Sequence, residues 1–301
     1  MLELSSLILN NYQVRKTKVQ KTAFINLLKE HLKDNISIEE GGLFKSRNII
    51  VGDIHKAKVI LTAHYDTQPI LPFPNFLTPK NLFIYIIFNI LVFLFAMILD
   101  IIFLFIVGFI FKDATIMQIL NYIFCAFMVA WMFIGKANKH TANDNTSGVI
   151  TLIEAINANK NDDIAYVFFD HEEVGLLGSA MFAKMHRDII NNKLVINFDC
   201  VGDGDYLMFI LNQKLDPKYQ QIFSDSFKSS NPKEVIITSS KNTLYPSDQI
   251  NFKQSVGVAA FKKHRFIGYY LDKIHTAKDT NLDYQNIQII LDGLKQLMIN
   301  L

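Results

Sequence analysis

Cysteine is scarce in this 301-residue sequence, which contains only Cys125 and Cys200. Two cysteines give no disulfide framework, and such scarcity fits a reducing compartment. An excess of one charge is missing as well, because 30 basic residues face 28 acidic residues and leave a formal net charge of +2. A near-neutral chain lacks the basic footprint of nucleic-acid-binding proteins, so we expect no nucleic-acid partner.

The opening residues, "MLELSSLILNNYQVRKTK", lack the order of an export signal. Their apolar stretch is too short for a signal-peptide core, and the basic residues follow it instead of preceding it. We therefore expect no export signal here.

Hydrophobic residues are abundant, at 50% of the chain, and the excess over a typical soluble domain is concentrated in one part of the sequence. Residues 82–111 and 116–135 each reach the roughly 20 apolar residues that cross a bilayer. Lys112 and Asp113 form a polar connector between them. A pair of buried core helices is the alternative, but core helices rarely run this long without a polar face. We predict an inserted transmembrane helical hairpin over residues 81–135.

Lysines flank the predicted hairpin: Lys80 precedes it, and Lys136 and Lys139 follow it. The connector carries one lysine beside one aspartate, so the positive-inside tendency predicts that both flanks face the cytoplasm. Two polar residues, Asn89 and Asp100, lie inside the first apolar block. A carboxyl group there is either functional or close to the far headgroups. The length of the block favours the second interpretation.

The remainder of the chain alternates short apolar runs with helical patterns. Strands are predicted at residues 48–52, 58–64, 164–169, 193–199, 206–211, 234–239 and 257–262. Helices are predicted at residues 16–34, 147–158, 177–188, 215–228 and 282–299. This alternation is typical of an α/β fold in which helices sandwich a mixed, largely parallel sheet. We predict one discontinuous domain, residues 1–80 and 136–301, interrupted by the hairpin. If strands from both sides of the hairpin pair in one sheet, the chain must cross the membrane an even number of times.

Polar residues that suit a metal centre lie at the ends of several apolar runs, and in open α/β sheets sites form beyond the carboxyl ends of strands. They are His64 and Asp66 after "VILTA", Asp144 before a helix, Glu172 and Glu173 after "YVFFDH", Asp199 after "LVINF", and His275. Each is weak evidence alone, because a histidine at a strand end is usually structural and an aspartate at a helix start is usually a cap. Two histidines with several carboxylates together suit paired zinc ions that share a bridging carboxylate. Of two adjacent glutamates, one could then bind metal while the other acts as a general base.

These stretches resemble the co-catalytic zinc aminopeptidases of metallopeptidase family 28 (clan MH), which includes aminopeptidase Y. The similar stretches, in the family's order, are "TAHYDT" (62–67), "NDNTSGV" (143–149), "DHEEVGLLGS" (170–179), "NFDCVG" (197–202) and "HTAKDT" (275–280). The resemblance covers residues 47–75 and 140–300, and it implies the zinc exopeptidase fold.

The resemblance also implies a ligand set for two Zn²⁺ ions per chain. His64 and Asp199 would bind one ion, and Glu173 and His275 would bind the other. Asp144 would bridge both ions.

Further roles follow from the same resemblance. Glu172 would activate water and then protonate the leaving amine. Asp66 would accept a hydrogen bond from the far nitrogen of His64 and fix its tautomer. The stretch "YPSDQINF" (245–252) is similar to a family segment near the substrate pocket, which makes Tyr245 and Asp248 candidate substrate contacts. Gln249 stands where the family often has histidine, and Tyr245 could equally be a packed loop residue.

The implied function is a membrane-anchored, di-zinc aminopeptidase that acts on peptides with a free N-terminus, with its catalytic domain in the cytoplasm and residues 82–135 in the lipid bilayer. One alternative is a single-zinc acyltransferase like the glutaminyl cyclases of the same clan, although such an enzyme has no need of the full ligand set. Another is an inactive membrane receptor or scaffold, although no ligand and no base is missing. Cleavage of internal bonds or of other amides stays open. A homo-oligomer formed through the hairpin also stays open, since no small-xxx-small pattern supports it strongly.

Overall fold

The computed structural model describes residues 1–32, 36–159 and 162–301. Its strands are β1 (Ile36–Gly41), β2 (Ser46–Val51), β3 (Val59–His64), β4 (Ile164–Phe169), β5 (Leu194–Phe198), β6 (Tyr206–Leu211), β7 (Glu234–Ser239), β8 (Ser255–His264) and β9 (Gly268–Tyr270). Its α-helices are α1 (Glu3–Asn11), α2 (Lys18–Leu32), α3 (Leu82–Ile110), α4 (Ala114–Ile134), α5 (Gly148–Ala158), α6 (Leu177–Met185), α7 (Arg187–Ile190), α8 (Lys218–Ser226) and α9 (Tyr284–Asn300).

The described strands form one mixed sheet in the order β1-β2-β4-β3-β5-β8-β6-β7, and the short β9 pairs with β8. The four central strands, β4, β3, β5 and β8, run parallel. Antiparallel pairs lie toward both edges, where β1 meets β2, β2 meets β4, and β6 meets β8. The predicted α/β fold with a mixed, largely parallel sheet is therefore confirmed.

Strand β3 shows why near-continuous apolar runs predicted the centre of the sheet. All six of its residues are buried, as expected for a strand covered on both faces. Val59 and Leu61 pack into the cluster that contains residues of α1, α2, α5, α8 and α9. Ile60, which points to the opposite face, packs with Phe182 of α6 and Ile190 of α7. Helices thus sandwich the sheet, and the carboxyl ends of the central strands meet at one edge.

The structure adds elements to the predicted set and divides one of them. Helix α1 and the edge strands β1 and β9 lie outside every predicted segment. The helix predicted over 177–188 is two helices, because α6 ends at Met185 and α7 begins at Arg187.

Helices α3 and α4 come between β3 and α5 in the chain, and they pack against each other. Both are long and apolar enough to cross a membrane, by length and composition. Only 6% of the most apolar window of α3 and 0% of that of α4 is buried, so the alternative of a buried core helix pair is wrong. Inside the pair, Cys125 Sγ lies 3.5 Å from Asp100 Oδ1. Strand β3 precedes the hairpin and pairs with β4 and β5, which follow it. The chain therefore enters the hairpin from the sheet and returns to the same sheet.

Backbone contacts close the base of the hairpin. Pro69 and Ala137 form an antiparallel bridge. Beside it, the Ile70 N–H donates to the Lys136 carbonyl at 2.8 Å. The two chain segments that enter and leave the hairpin therefore lie side by side.

Candidate metal centre

Three neighbouring strands deliver polar side chains to one edge of the sheet. His64 is the last residue of β3 and lies in register with Phe169, the last residue of β4. Glu172 and Glu173 follow β4, and Asp199 follows β5, the other neighbour of β3. Because these strands are parallel, their carboxyl ends bring the four side chains together.

Loops supply the remaining donors. Asp144 precedes α5, and its backbone N–H donates to Asp279 Oδ2 at 3.0 Å. Asp279 Oδ1 accepts a second bond, from the Asn143 N–H at 2.8 Å. His275 has a left-handed backbone, with φ of 68°. Its carbonyl accepts from the Leu71 N–H at 2.8 Å, beside the base of the hairpin.

Three sets of donor atoms could each hold a metal ion, and one of them combines His64 with Glu172 and Glu173. The other two, the first and second groups, share Asp144. In the first group, His64 Nε2 lies 3.4 Å from Asp144 Oδ1 and 3.5 Å from Asp199 Oδ1. In the second group, His275 Nε2 lies 3.2 Å from Asp144 Oδ2 and 3.7 Å from Glu173 Oε2. Within each group the ligand atoms all lie within 4.8 Å of one another. The structure therefore brings all five predicted ligands together, with one oxygen of Asp144 in each group.

These separations fit zinc. Bonds of about 2.0–2.1 Å at a tetrahedral angle place two ligands of one ion about 3.3–3.4 Å apart. The four histidine–carboxylate distances, 3.2 to 3.7 Å, bracket that value. Asp199 Oδ1 is in addition buried and has no hydrogen-bond partner among the described residues. Buried polar atoms of proteins rarely lack a partner, so a cation is a natural one here.

The two groups differ in their exposure to solvent. The side chain of His64 is 1% exposed, whereas that of His275 is 18% exposed. The first group thus lies deep against the sheet, and the second group lies nearer the mouth of the site.

Asp66 holds the loop that carries the two glutamates. Its Oδ1 and Oδ2 accept from the backbone N–H groups of Glu172 at 3.0 Å and of Glu173 at 3.3 Å. Asp66 Oδ1 also lies 3.6 Å from His64 Nδ1, and the hydrogen bond of that nitrogen goes to the Asp66 backbone carbonyl at 3.2 Å. Both Asp66 contacts direct His64 Nε2 toward the donor groups. Glu172 Oε2 lies 3.9 Å from that Nε2.

The site carries excess negative charge. Burial raises the pKa of Glu172 well above its usual value, and the nearby carboxylates of Asp248 and Asp199 add to the rise, against the effect of His64. Burial also raises the pKa of Glu173 well above its usual value, and Asp144 adds to it. Buried like charges of this kind are stable when a cation compensates them.

Tyr245 and Asp248, the two candidate substrate contacts, lie close to the donor groups. The Tyr245 hydroxyl donates to the Asp199 carbonyl at 2.9 Å, so it supports the loop after β5. Asp248 is fully buried, and burial raises the pKa of its carboxyl to about 7, against the effect of His64. Gln249 donates to the Tyr245 carbonyl at 2.7 Å and accepts from Asn197 Nδ2 at 3.1 Å, which fixes this loop to the sheet.

Sequence reasoning missed Gln68 and Asp279. Gln68 Nε2 donates to Asp144 Oδ2 at 3.3 Å. With its amide turned the other way, Gln68 would donate to Glu173 Oε1 at 2.8 Å and to His275 Nδ1 at 2.9 Å. Gln68 directly follows "TAHYDT" and Asp279 lies within "HTAKDT", so proximity to these stretches was the available signal.

The model of a family described as peptidase family M28 matches residues 129–298. A search of curated proteins found no match. A Zn-dependent exopeptidase from Parabacteroides distasonis is similar in structure, with a TM-score of 0.60, 15% identity, and coverage of 99% of this chain and 96% of that chain.

Two further solved structures are similar. The glutaminyl cyclase of Porphyromonas gingivalis gives a TM-score of 0.58 and 15% identity, and covers 98% of this chain and 96% of that chain. The LapA aminopeptidase of Legionella pneumophila gives a TM-score of 0.57 and 15% identity, and covers 99% of this chain and 70% of that chain. These likenesses confirm the predicted zinc exopeptidase fold.

Proposed function

Since this chain belongs to peptidase family M28, we propose that it is a membrane-anchored peptidase that holds two zinc ions and removes N-terminal residues from peptides. The observation that supports this most is the pair of donor groups that share Asp144. A carboxylate with one oxygen in each of two groups suits a bridging ligand in a two-metal site.

Five side chains would hold the metal. His64 and Asp199 belong to the deep group, Glu173 and His275 belong to the outer group, and Asp144 belongs to both. Zinc bound there would supply Lewis-acid polarisation of a peptide carbonyl and make water a stronger nucleophile.

Glu172 would perform the proton transfers. It is not needed as a ligand in either group, and its Oε2 lies 3.9 Å from His64 Nε2, beside the deep group. In this role Glu172 takes a proton from the attacking water and then delivers it to the amide nitrogen of the scissile bond, which departs as an amine. Asp66 would keep Glu172 and His64 in position through its contacts with both.

The hairpin would anchor the enzyme in a lipid bilayer. Helices α3 and α4 expose apolar side chains along their length, and lysines lie at the base of the hairpin. The positive-inside tendency supports a cytoplasmic catalytic domain. The backbone bond between Leu71 and His275 supports a position of the outer group close to the membrane surface, where peptides with a free N-terminus would be taken up.

A glutaminyl cyclase-like acyltransferase with one zinc is the second candidate, and the likeness to the Porphyromonas gingivalis enzyme favours it. The two donor groups favour the hydrolase, because a one-ion enzyme needs only one of them. An inactive scaffold is the third candidate. The presence of all five donors and of Glu172 speaks against it.

The test is hydrolysis of aminoacyl-arylamides by detergent-purified protein, with N-blocked amides and N-terminal glutaminyl peptides as parallel substrates and zinc measured on the same sample. Two zinc ions per chain with cleavage of free N-termini only is the expected result. Cyclisation of glutaminyl peptides with one zinc per chain would support the second candidate. Zinc-loaded protein that cleaves only blocked or internal bonds would contradict the aminopeptidase.

A further inference from the structure

The end of β8 and the turn that follows it present an exposed basic and aromatic surface. We name residues 263–266, which are Lys263, His264, Arg265 and Phe266, the basic tip. All four are exposed, and Phe266 is 71% exposed. The Arg265 guanidinium lies over the Phe266 ring, 4.3 Å from its centroid. Phe266 with Arg265 over its ring forms a surface that suits a partner with both apolar and anionic groups.

The basic tip lies level with the start of the hairpin. Asn81 Oδ1 caps α3 by accepting from the Ile84 N–H at 3.2 Å. The amide nitrogen of the same Asn81 donates to the carbonyl of Ile267, the residue after the tip, at 3.0 Å. Lys80 lies over the ring of Tyr269 in β9, 5.8 Å from its centroid. One hydrogen bond therefore joins Ile267, the neighbour of the tip, to Asn81, the N-cap of α3.

We propose that the basic tip enters the headgroup layer of an anionic phospholipid leaflet, with Phe266 reaching the acyl boundary and Lys263 and Arg265 pairing with lipid phosphates. This inference rests on the proposed membrane insertion of α3 and α4. Basic clusters next to a membrane segment are attracted to anionic lipid surfaces. Phenylalanine beside basic side chains is typical of protein surfaces that lie in the interface.

Other cations lie at the same level although they are distant in sequence. Lys16, which precedes α2, donates through Nζ to the Phe133 carbonyl in the last turn of α4 at 2.5 Å. Lys80, Lys136 and Lys139 are exposed around the two ends of the hairpin. Together with the basic tip they put positive charge at both ends of the hairpin, which complements an anionic leaflet.

The acidic groups nearest the basic tip pair with Lys262, so the tip keeps its positive charge. Lys262, which precedes the tip, is paired with Asp272 at 2.7 Å and with Asp203 at 3.0 Å. Tyr269, and to a smaller extent Tyr206 and Glu234, raise the pKa of Lys263. The Lys263 ammonium lies 5.2 Å from the ring centroids of Tyr206 and Tyr269. In the described residues no ion pair engages Arg265.

The test uses the single native tryptophan, Trp131 in α4, as an internal reference. Full-length protein is reconstituted in phosphatidylcholine vesicles with or without phosphatidylglycerol, and with lipids brominated near the headgroup end of the acyl chains. In the native protein, quenching of Trp131 reports insertion of the hairpin. In W131F/F266W, the tryptophan in the tip should show blue-shifted emission and quenching that increases with phosphatidylglycerol. Adding K263Q and R265Q should remove that increase.

Ile299 provides a matched control. It is 75% exposed near the end of α9, where Leu301 borders a cleft with Lys58 and Leu194 at the amino ends of β3 and β5. The tryptophan of W131F/I299W, far from the hairpin, should stay unquenched.

The outcomes separate the two proposals. Quenching of Trp131 with unquenched emission from W131F/F266W would overturn the basic tip and leave the hairpin intact. Equal quenching with and without phosphatidylglycerol would overturn the preference for anionic lipid. Unquenched Trp131 would overturn the membrane anchor, and the proposed role of the tip with it.

Discussion

Asp66 Oδ1 accepts a hydrogen bond from the backbone N–H of Glu172 at 3.0 Å. The other oxygen accepts from the Glu173 N–H, and His64 Nδ1 lies 3.6 Å from Oδ1. One buried carboxylate thus orients the proposed base and two proposed ligands. Asp66 is a positioning residue whose loss would disturb several roles at once.

Asp66→Asn should lower zinc affinity and kcat/KM together by about 10–100-fold, a typical effect of losing a partner of a metal ligand. Asparagine keeps the size of the side chain, but its amide nitrogen would face a backbone N–H and lose one acceptor. Chelator competition gives the zinc affinity, and arylamide hydrolysis gives the rate. Asp53→Asn, in an exposed turn, is the control. Native zinc affinity and native rate in Asp66→Asn would contradict the positioning role.

Asp144→Ala should release zinc from both groups, because each group uses one of its oxygens. His275→Ala should release zinc from the outer group only. Metal content per chain, measured by mass spectrometry on the two purified variants, distinguishes the cases. A zinc content in Asp144→Ala equal to that of the native protein would show that Asp144 is not a bridge.

Glu172→Gln should keep the zinc content and lower kcat by about 10²–10⁴-fold, the contribution expected of a general base. The amide matches the carboxylate in shape but cannot accept a proton from water. Steady-state kinetics beside zinc analysis checks both parts, and the exposed Glu40→Gln serves as the control. Normal turnover would remove Glu172 from the mechanism.

Lys21→Met should destabilise the fold by about 3–5 kcal/mol, because it leaves the buried charge of Asp170 without its partner. The two side chains form a direct ion pair and are 6% and 1% exposed. Lys56→Met is matched in chemistry, but Lys56 is 66% exposed, so its loss should cost under about 1 kcal/mol. Urea unfolding in detergent compares the variants. Similar losses for both would argue against a structural role for the buried pair.

Replacing residues 82–135 by a short linker should give a soluble domain that still binds zinc. The segments at the hairpin base already lie side by side at the bridge between Pro69 and Ala137, so the domain has little gap to close. Fractionation after a high-salt wash is the readout, since salt removes surface binding through charges. A variant that stays in the membrane fraction would refute the membrane hairpin.

Elements with a long or continuous apolar run were predictable from sequence, and elements without such a run were not. Strands such as β3 and β4 are continuous apolar runs, because neighbours cover both faces. Edge strand β1, "ISIEEG", is half-exposed and carries two glutamates, so it lacks that pattern. The three-residue β9 is set by its pairing with β8. The order of strands in the sheet depends on long-range packing that local periodicity does not encode.

The same distinction applies to the candidate site. The proposed ligands were visible because the chemistry of each side chain appears in the sequence at a strand or helix end. The partners that orient them, such as the backbone N–H groups bound by Asp279, depend on how loops distant in sequence come together. Gln68 was missed because an amide in a loop has no pattern of its own.

The bridge between Pro69 and Ala137 also affects how the chain can fold. Strand β3 and helix α5 pack together although residues 65–147 separate them. Loop-closure entropy rises by about 0.6 kcal/mol for each doubling of length. Once the helices of the hairpin pair, the bridge shortens the effective loop from about 80 residues to about 15, which lowers the entropic cost by about 1.5 kcal/mol. A hairpin that forms early would therefore make it easier for β3 and α5 to pack together during folding.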